Sequence, residues 1–192
     1  FSSQGTLNSG TVTLNGGLLD VDQDITVGSN LVHAAGSFIE IEAGKALSYT
    51  GQVFNIGNLA LKISGGGTFD NTNNLTIDNA GSKLSISDST KVSRVLVSAS
   101  GSGNGMTISD SNAAATGNLV ESLQLSSSLS VTSDAAWSVG SITAGSALTF
   151  SNDKDLSIGS LSLTGNNAEM SLGASDITVS VTNPVSAGST QI

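Results

Sequence analysis

Between Val53 and Thr90, apolar residues come in pairs set two apart: Phe54/Ile56, Leu61/Ile63, Leu75/Ile77 and Leu84/Ile86. Polar breakers separate the pairs, as in Ser64-Gly65-Gly66-Gly67 and Asp78-Asn79-Ala80-Gly81. Two side chains at i and i+2 project from the same face of an extended backbone, while the residue between them points the other way. Gly and Asn accept the positive φ of a sharp turn, and Asp hydrogen-bonds its own turn. The segment is therefore a short strand and a turn, repeated. One such strand cannot bury its apolar face alone, so the unit has to stack on copies of itself.

The same beat runs along most of the chain. Val12/Leu14, Leu19/Val21, Ile25/Val27, Ile39/Ile41 and Leu47/Tyr49 precede the segment. Beyond Thr90 it loosens through Val95/Val97, Met106/Ile108 and Leu123/Leu125. It then returns with Leu129/Val131, Trp137/Val139, Leu148/Phe150, Leu156/Ile158, Leu161/Leu163, Met170/Leu172 and Ile177/Val179. Pairs recur at roughly seven to nine residues, too close for a helix between them. An antiparallel sandwich would alternate through strands of about five or six residues, whereas here the inward set is mostly two. Two-residue inward sets suit a coil with three strands per turn, each pairing in parallel with the rung above.

The predicted fold is all-β: a parallel β-helix (β-solenoid) of about eight rungs of three short strands, one domain over residues 1–192. Rungs are expected to start near Thr11, Leu31, Val53, Leu75, Met106, Trp137, Leu156 and Ile177. Ser98–Gly105 and Ser111–Asn118 hold the excess of the two long rungs and are expected to leave the coil as loops. Asn residues near turns are expected to stack as internal ladders between rungs, satisfying buried backbone groups. Trp137, Phe54, Phe69 and Phe150 fall in phase with the apolar pairs and are expected inside.

Composition narrows the function. Of the 192 residues only 11% are charged, against about a quarter in an ordinary globular enzyme. The net charge is −9 with only six Lys or Arg, which argues against a nucleic-acid groove built on clustered cations. No apolar run approaches the roughly 18 residues of a membrane-spanning helix, so no membrane insertion is expected. There is no Cys, hence no disulfide and no thiolate metal site. The chain opens on Phe1 and both ends run in the repeat, so a fragment of a longer protein or an end-to-end assembling subunit is expected. Copies of itself, or neighbouring repeats, are the partners that an open solenoid end implies.

The run GGGTFDNTNNLTIDNAGSKLSIS, Gly65–Ser87, resembles the degenerate repeats of right-handed β-helix regions in bacterial surface adhesins and autotransporter passenger domains. The resemblance covers most of the chain and rests on composition and period. It implies a right-handed coil, a bacterial extracellular or cell-surface location, and a shaft or adhesive role with host or surface glycans as partners. It carries over no functional residue.

Candidate chemistry is sparse. Asp20, Asp22 and Asp24 are the densest carboxylates; spaced by two on one strand they would share a face and offer oxygen ligands to Ca²⁺. The sixth position of that D-x-D-x-D run is Ile25 rather than Gly, and the twelfth is Leu31 rather than Glu, so a solvated outer face is the favoured reading. Glu40 and Glu42 would lie about 7 Å apart, a separation open to glycoside hydrolysis with Phe38 and Tyr49 the nearest aromatic rings, but a solvated face is the favoured reading. Asp153 and Asp155 read as a turn. His33 is the only histidine and no G-x-S-x-G elbow is present, so no catalytic constellation is found and no enzyme is expected. Lys83, Lys91 and Arg94, near Asp88, form the one local basic concentration. The leading expectation is a structural or adhesive fibre segment. The alternatives are a carbohydrate-active β-helix enzyme, lyase or hydrolase, and a carbohydrate- or Ca²⁺-binding module.

Overall fold

A computed structural model describes residues 6–7, 10–98, 104–109, 119–151, 154–164, 167–172, 178–183 and 186–187. Among these the chain forms parallel strands and no helix, wound into a β-solenoid of about seven turns. Each turn contributes to three faces. Eight strands stack on the first face, at Leu18–Val21, Phe38–Ile41, Ala60–Ser64, Lys83–Ser87, Gly105–Ser109, Leu129–Ser133, Leu148–Phe150 and Met170–Leu172. The second face begins with Thr6–Leu7, Ile25–Val27, Ala46–Tyr49 and Thr68–Asn71. Thr11–Leu14, Asn30–His33, Phe54–Asn55 and Leu75–Ile77 form the start of the third.

Register follows the apolar pairs. Leu61 stands over Leu84 and Ile63 over Ile86, then Leu84 over Met106 and Ile86 over Ile108. Each pair is buried, so like side chains stack in columns up a dry interior. Burying one such Leu or Ile contributes about 1.5–3 kcal/mol. Repetition up the column is what makes a strand of three or four residues sufficient.

Past Thr90 the second and third faces merge. Lys91–Val97, Val120–Leu125, Trp137–Ala144 and Leu156–Leu163 each run through both faces as one strand, in parallel register with the next. The corner lies inside the strand: Val92 and Val95 point inward while Ser93 and Arg94 both face out. The same double outward step occurs at Glu121-Ser122, Gly140-Ser141 and Gly159-Ser160. Gly140 and Gly159 stack there so closely that a Cβ on Gly159 would lie 2.3 Å from the Gly140 carbonyl oxygen.

This corner corrects the expected rung frame. Starts placed at Thr11, Leu31, Val53 and Leu75 lie at or beside strands of the third face, but Met106 belongs to the first face and Trp137 and Leu156 to the second. The frame slips because Val92, Val120 and Ile142 are inward residues reached across a three-residue step, outside the i, i+2 pattern. Ile177 lies outside the described residues. So do all of the expected loop Ser111–Asn118 and most of Ser98–Gly105. Gly105 itself opens a strand, paired with Lys83 and Ser130, rather than closing a loop.

Aromatic rings fill the core as expected. Tyr49 and Phe69 stack at 6.2 Å, with Phe54 packed edge-on to both. Trp137 lies 6.2 Å from Phe150. Asn and Ser side chains tie one rung to the next. Asn73 Nδ2 donates to the Gly51 carbonyl at 2.6 Å, Asn104 Nδ2 to Ser128 at 3.1 Å, and Ser37 Oγ to Leu14 at 2.6 Å. These are single bridges rather than stacked amide ladders.

Candidate functional site

The carboxylates singled out in the sequence separate on folding. The strand carrying Asp20 ends at Val21, so Asp22 opens the corner and Asp24 stands just before the second face. The three therefore do not share one face, because the strand is shorter than the spacing assumed. Asp24 Oδ1 accepts the Ala46 N–H at 2.9 Å, fixing the rung above it. Asp20 instead sits directly against Glu40 in the ladder, two like charges on adjacent rungs. Glu42 lies past the end of its strand in the following turn, bridged to Gly66. Among the described residues no group of three or more His, Asp or Glu side chains converges as a metal site.

His33 is buried on the third face. Its ring meets Phe54 edge-on at 5.7 Å, and Nε2 lies 2.8 Å from the Ile56 carbonyl oxygen. A carbonyl only accepts, so Nε2 carries the proton and Nδ1 is left without a hydrogen-bond partner. At 7% exposure and packed against Phe54, it has the surroundings of a core residue.

Lys83, Lys91 and Arg94 also part. Lys83 begins a first-face strand, Lys91 a second-face strand, and Arg94 sits at the corner of the second and third faces. Asp88 occupies the turn between Lys83 and Lys91, with φ of 59°, and accepts a hydrogen bond from Ser87 Oγ at 2.9 Å. Its geometry is that of a turn residue.

Among the described residues, two concavities on the outer surface stand out. The first is an apolar groove of about 420 Å³ across the first face, lined on its outer side by Phe38, Ala60, Lys62, Lys83, Ser85 and Thr107. The second is polar, about 500 Å³, and lies at the corner of the second and third faces. It arises from a change in that corner. In the rung Thr68–Ile77 the two faces are joined by the turn Thr72–Asn74, whereas the next rung passes the corner within one strand, Lys91–Val97. The turn stands as a shoulder over the flush corner beneath.

Into that step project Asp70, Asn74, Ser93, Arg94, Glu121 and Gln124. Phe69 pairs with Val92, and Val92 with Val120, so the next residues along, Asp70, Ser93 and Glu121, stand on three successive rungs. Ser93 Oγ donates to Asp70 Oδ1 at 3.0 Å. Arg94 is held from inside by Asn71, which is 1% exposed. Asn71 Nδ2 donates to the Arg94 carbonyl at 2.7 Å, and Asn71 Oδ1 accepts the Arg94 N–H at 3.1 Å. Sequence reading found Arg94 but neither Asp70 nor Glu121, which lie 51 positions apart. Folding the sequence on its own rung period is the signal that unites them.

No known protein family matches this chain, and no curated protein or solved structure is significantly similar to it.

Proposed function

We propose that this chain is a structural or adhesive segment of a bacterial extracellular or cell-surface fibre, with the solenoid as its shaft. The observation that carries the reading is the parallel ladder over a continuous apolar core, unbroken among the described strands of the first and second faces. Such a stack resists local opening, because peeling one rung exposes the apolar columns of two neighbours. A low charge content and polar, turn-rich edges suit a rod that lives in solvent. Of the groups weighed for catalysis in the sequence, Glu40 lies on the first face, Glu42 and Asp88 in turns, and His33 in the core.

Limited digestion with a broad-specificity protease tests this reading. A shaft leaves Leu18–Val97 and Leu129–Leu163 intact long after first cuts fall between Ser98 and Asn118. Early, even cleavage through Leu129–Leu163 would remove the shaft reading.

A further inference from the structure

We propose that the corner groove around Arg94 binds a neutral oligosaccharide chain, a site that goes beyond the shaft reading and does not depend on it. Arg94 is donor-only and charged; Asp70 and Glu121 are acceptor-only as carboxylates; Asn74 and Gln124 carry both kinds of group. A phosphate or carboxylate ligand would suit Arg94 but face two like charges. An ammonium ligand would suit the carboxylates but face the guanidinium. A hydroxyl both donates and accepts, so adjacent hydroxyls on one chain match donor-only and acceptor-only groups lying side by side.

Shape agrees with this chemistry. Asp70, Ser93 and Glu121 occupy three successive rungs, so the groove runs about 9.5 Å along the rod at the usual strand spacing. Its volume of about 500 Å³ is in the range of small-molecule sites. Because it opens along the outside of the coil, it accommodates a stretch of polymer rather than a single enclosed ring. Preorganisation is the second observation. The buried Asn71 amide clasps both backbone polar groups of Arg94, fixing where its side chain leaves the corner, and Ser93 holds the Asp70 carboxylate before a ligand arrives.

The test is calorimetric titration of the full chain with cello-, laminari-, malto- and xylohexaose. A polygalacturonate oligomer serves as the anionic control and spermine as the cationic one. At least one neutral hexaose is expected to bind with Kd below about 1 mM. Arg94→Ala, Asp70→Asn and Glu121→Gln are each expected to weaken it at least about fivefold, roughly 1 kcal/mol, with thermal melting showing that the coil persists. Lys62→Ala, in the other groove, is expected to change nothing. If Arg94→Ala disturbs the corner, Gln124→Ala carries the same expectation from the exposed side. The proposal is overturned if no neutral hexaose binds with Kd below about 1 mM, if the substitutions leave binding unchanged, or if either charged control binds more tightly. Failure here beside intact protease resistance removes this site and leaves the shaft reading standing.

Discussion

At the scale of single residues, the coil depends on a few positions where backbones approach closely. The run Gly65–Gly67 folds over Ile41: a Cβ on Gly67 would lie 2.4 Å from Ile41 Cγ2 and 2.6 Å from the Glu42 carbonyl oxygen. Gly17 has open space around it. Gly67→Ala is therefore expected to destabilise the chain by about 1–3 kcal/mol in urea unfolding, as overpacking does, while Gly17→Ala stays near zero. Asn71 is a second such position. Truncating it to Ala leaves the Arg94 N–H and carbonyl without their partners in a partly buried place, a loss of about 1 kcal/mol. Hydrogen exchange at the Arg94 amide is expected to speed up more than at Leu96, which keeps its ladder pairing. A charge effect is expected at Asp20 and Glu40, neighbours on one ladder. Glu40→Gln should raise the melting temperature at low salt, a gain that vanishes near 1 M, where screening reaches about 3 Å.

At the scale of the element, the defining feature is the corner shared by the second and third faces. In the N-terminal rungs it is made by turns with Gly, Asn or Asp, which sequence reading recognises through turn chemistry. From Lys91 onward it is made by two successive outward residues inside an unbroken strand. Nothing in an i, i+2 search marks Val92, Val120 or Ile142 as core, because each stands three residues from its inward neighbour across the bend. Strands, turns and the stacking direction were thus legible, and the phase of the rungs was lost only where the corner changed type. The groove was illegible for the related reason that register alone brings Asp70 and Glu121 onto one side of the coil. The merged strands make their own prediction. Ile142→Ala should cost about 2–5 kcal/mol, as for any buried Ile, whereas Thr143→Ala on the outer side should cost little. Comparable small losses at both positions in urea denaturation would contradict the inward assignment of Ile142.

At the scale of the whole molecule, the central claim is that sequence separation converts into height along one coil. A single outer column on the first face makes this measurable. Leu18 pairs with Phe38, Phe38 with Lys62, Lys62 with Ser85, Ser85 with Thr107, and Thr107 with Thr132. The chain contains no cysteine, so pairs of nitroxide labels can be placed by single substitutions without background. Thr132→Cys combined in turn with Ser85→Cys, Lys62→Cys and Leu18→Cys spans two, three and five rungs. Pulsed dipolar spectroscopy, with continuous-wave line broadening for the shortest pair, should return separations near 10, 14 and 24 Å, about 4.8 Å for every rung. A Leu18–Thr132 separation no longer than the Ser85–Thr132 one would mean that the chain folds back on itself, and the solenoid account would fall.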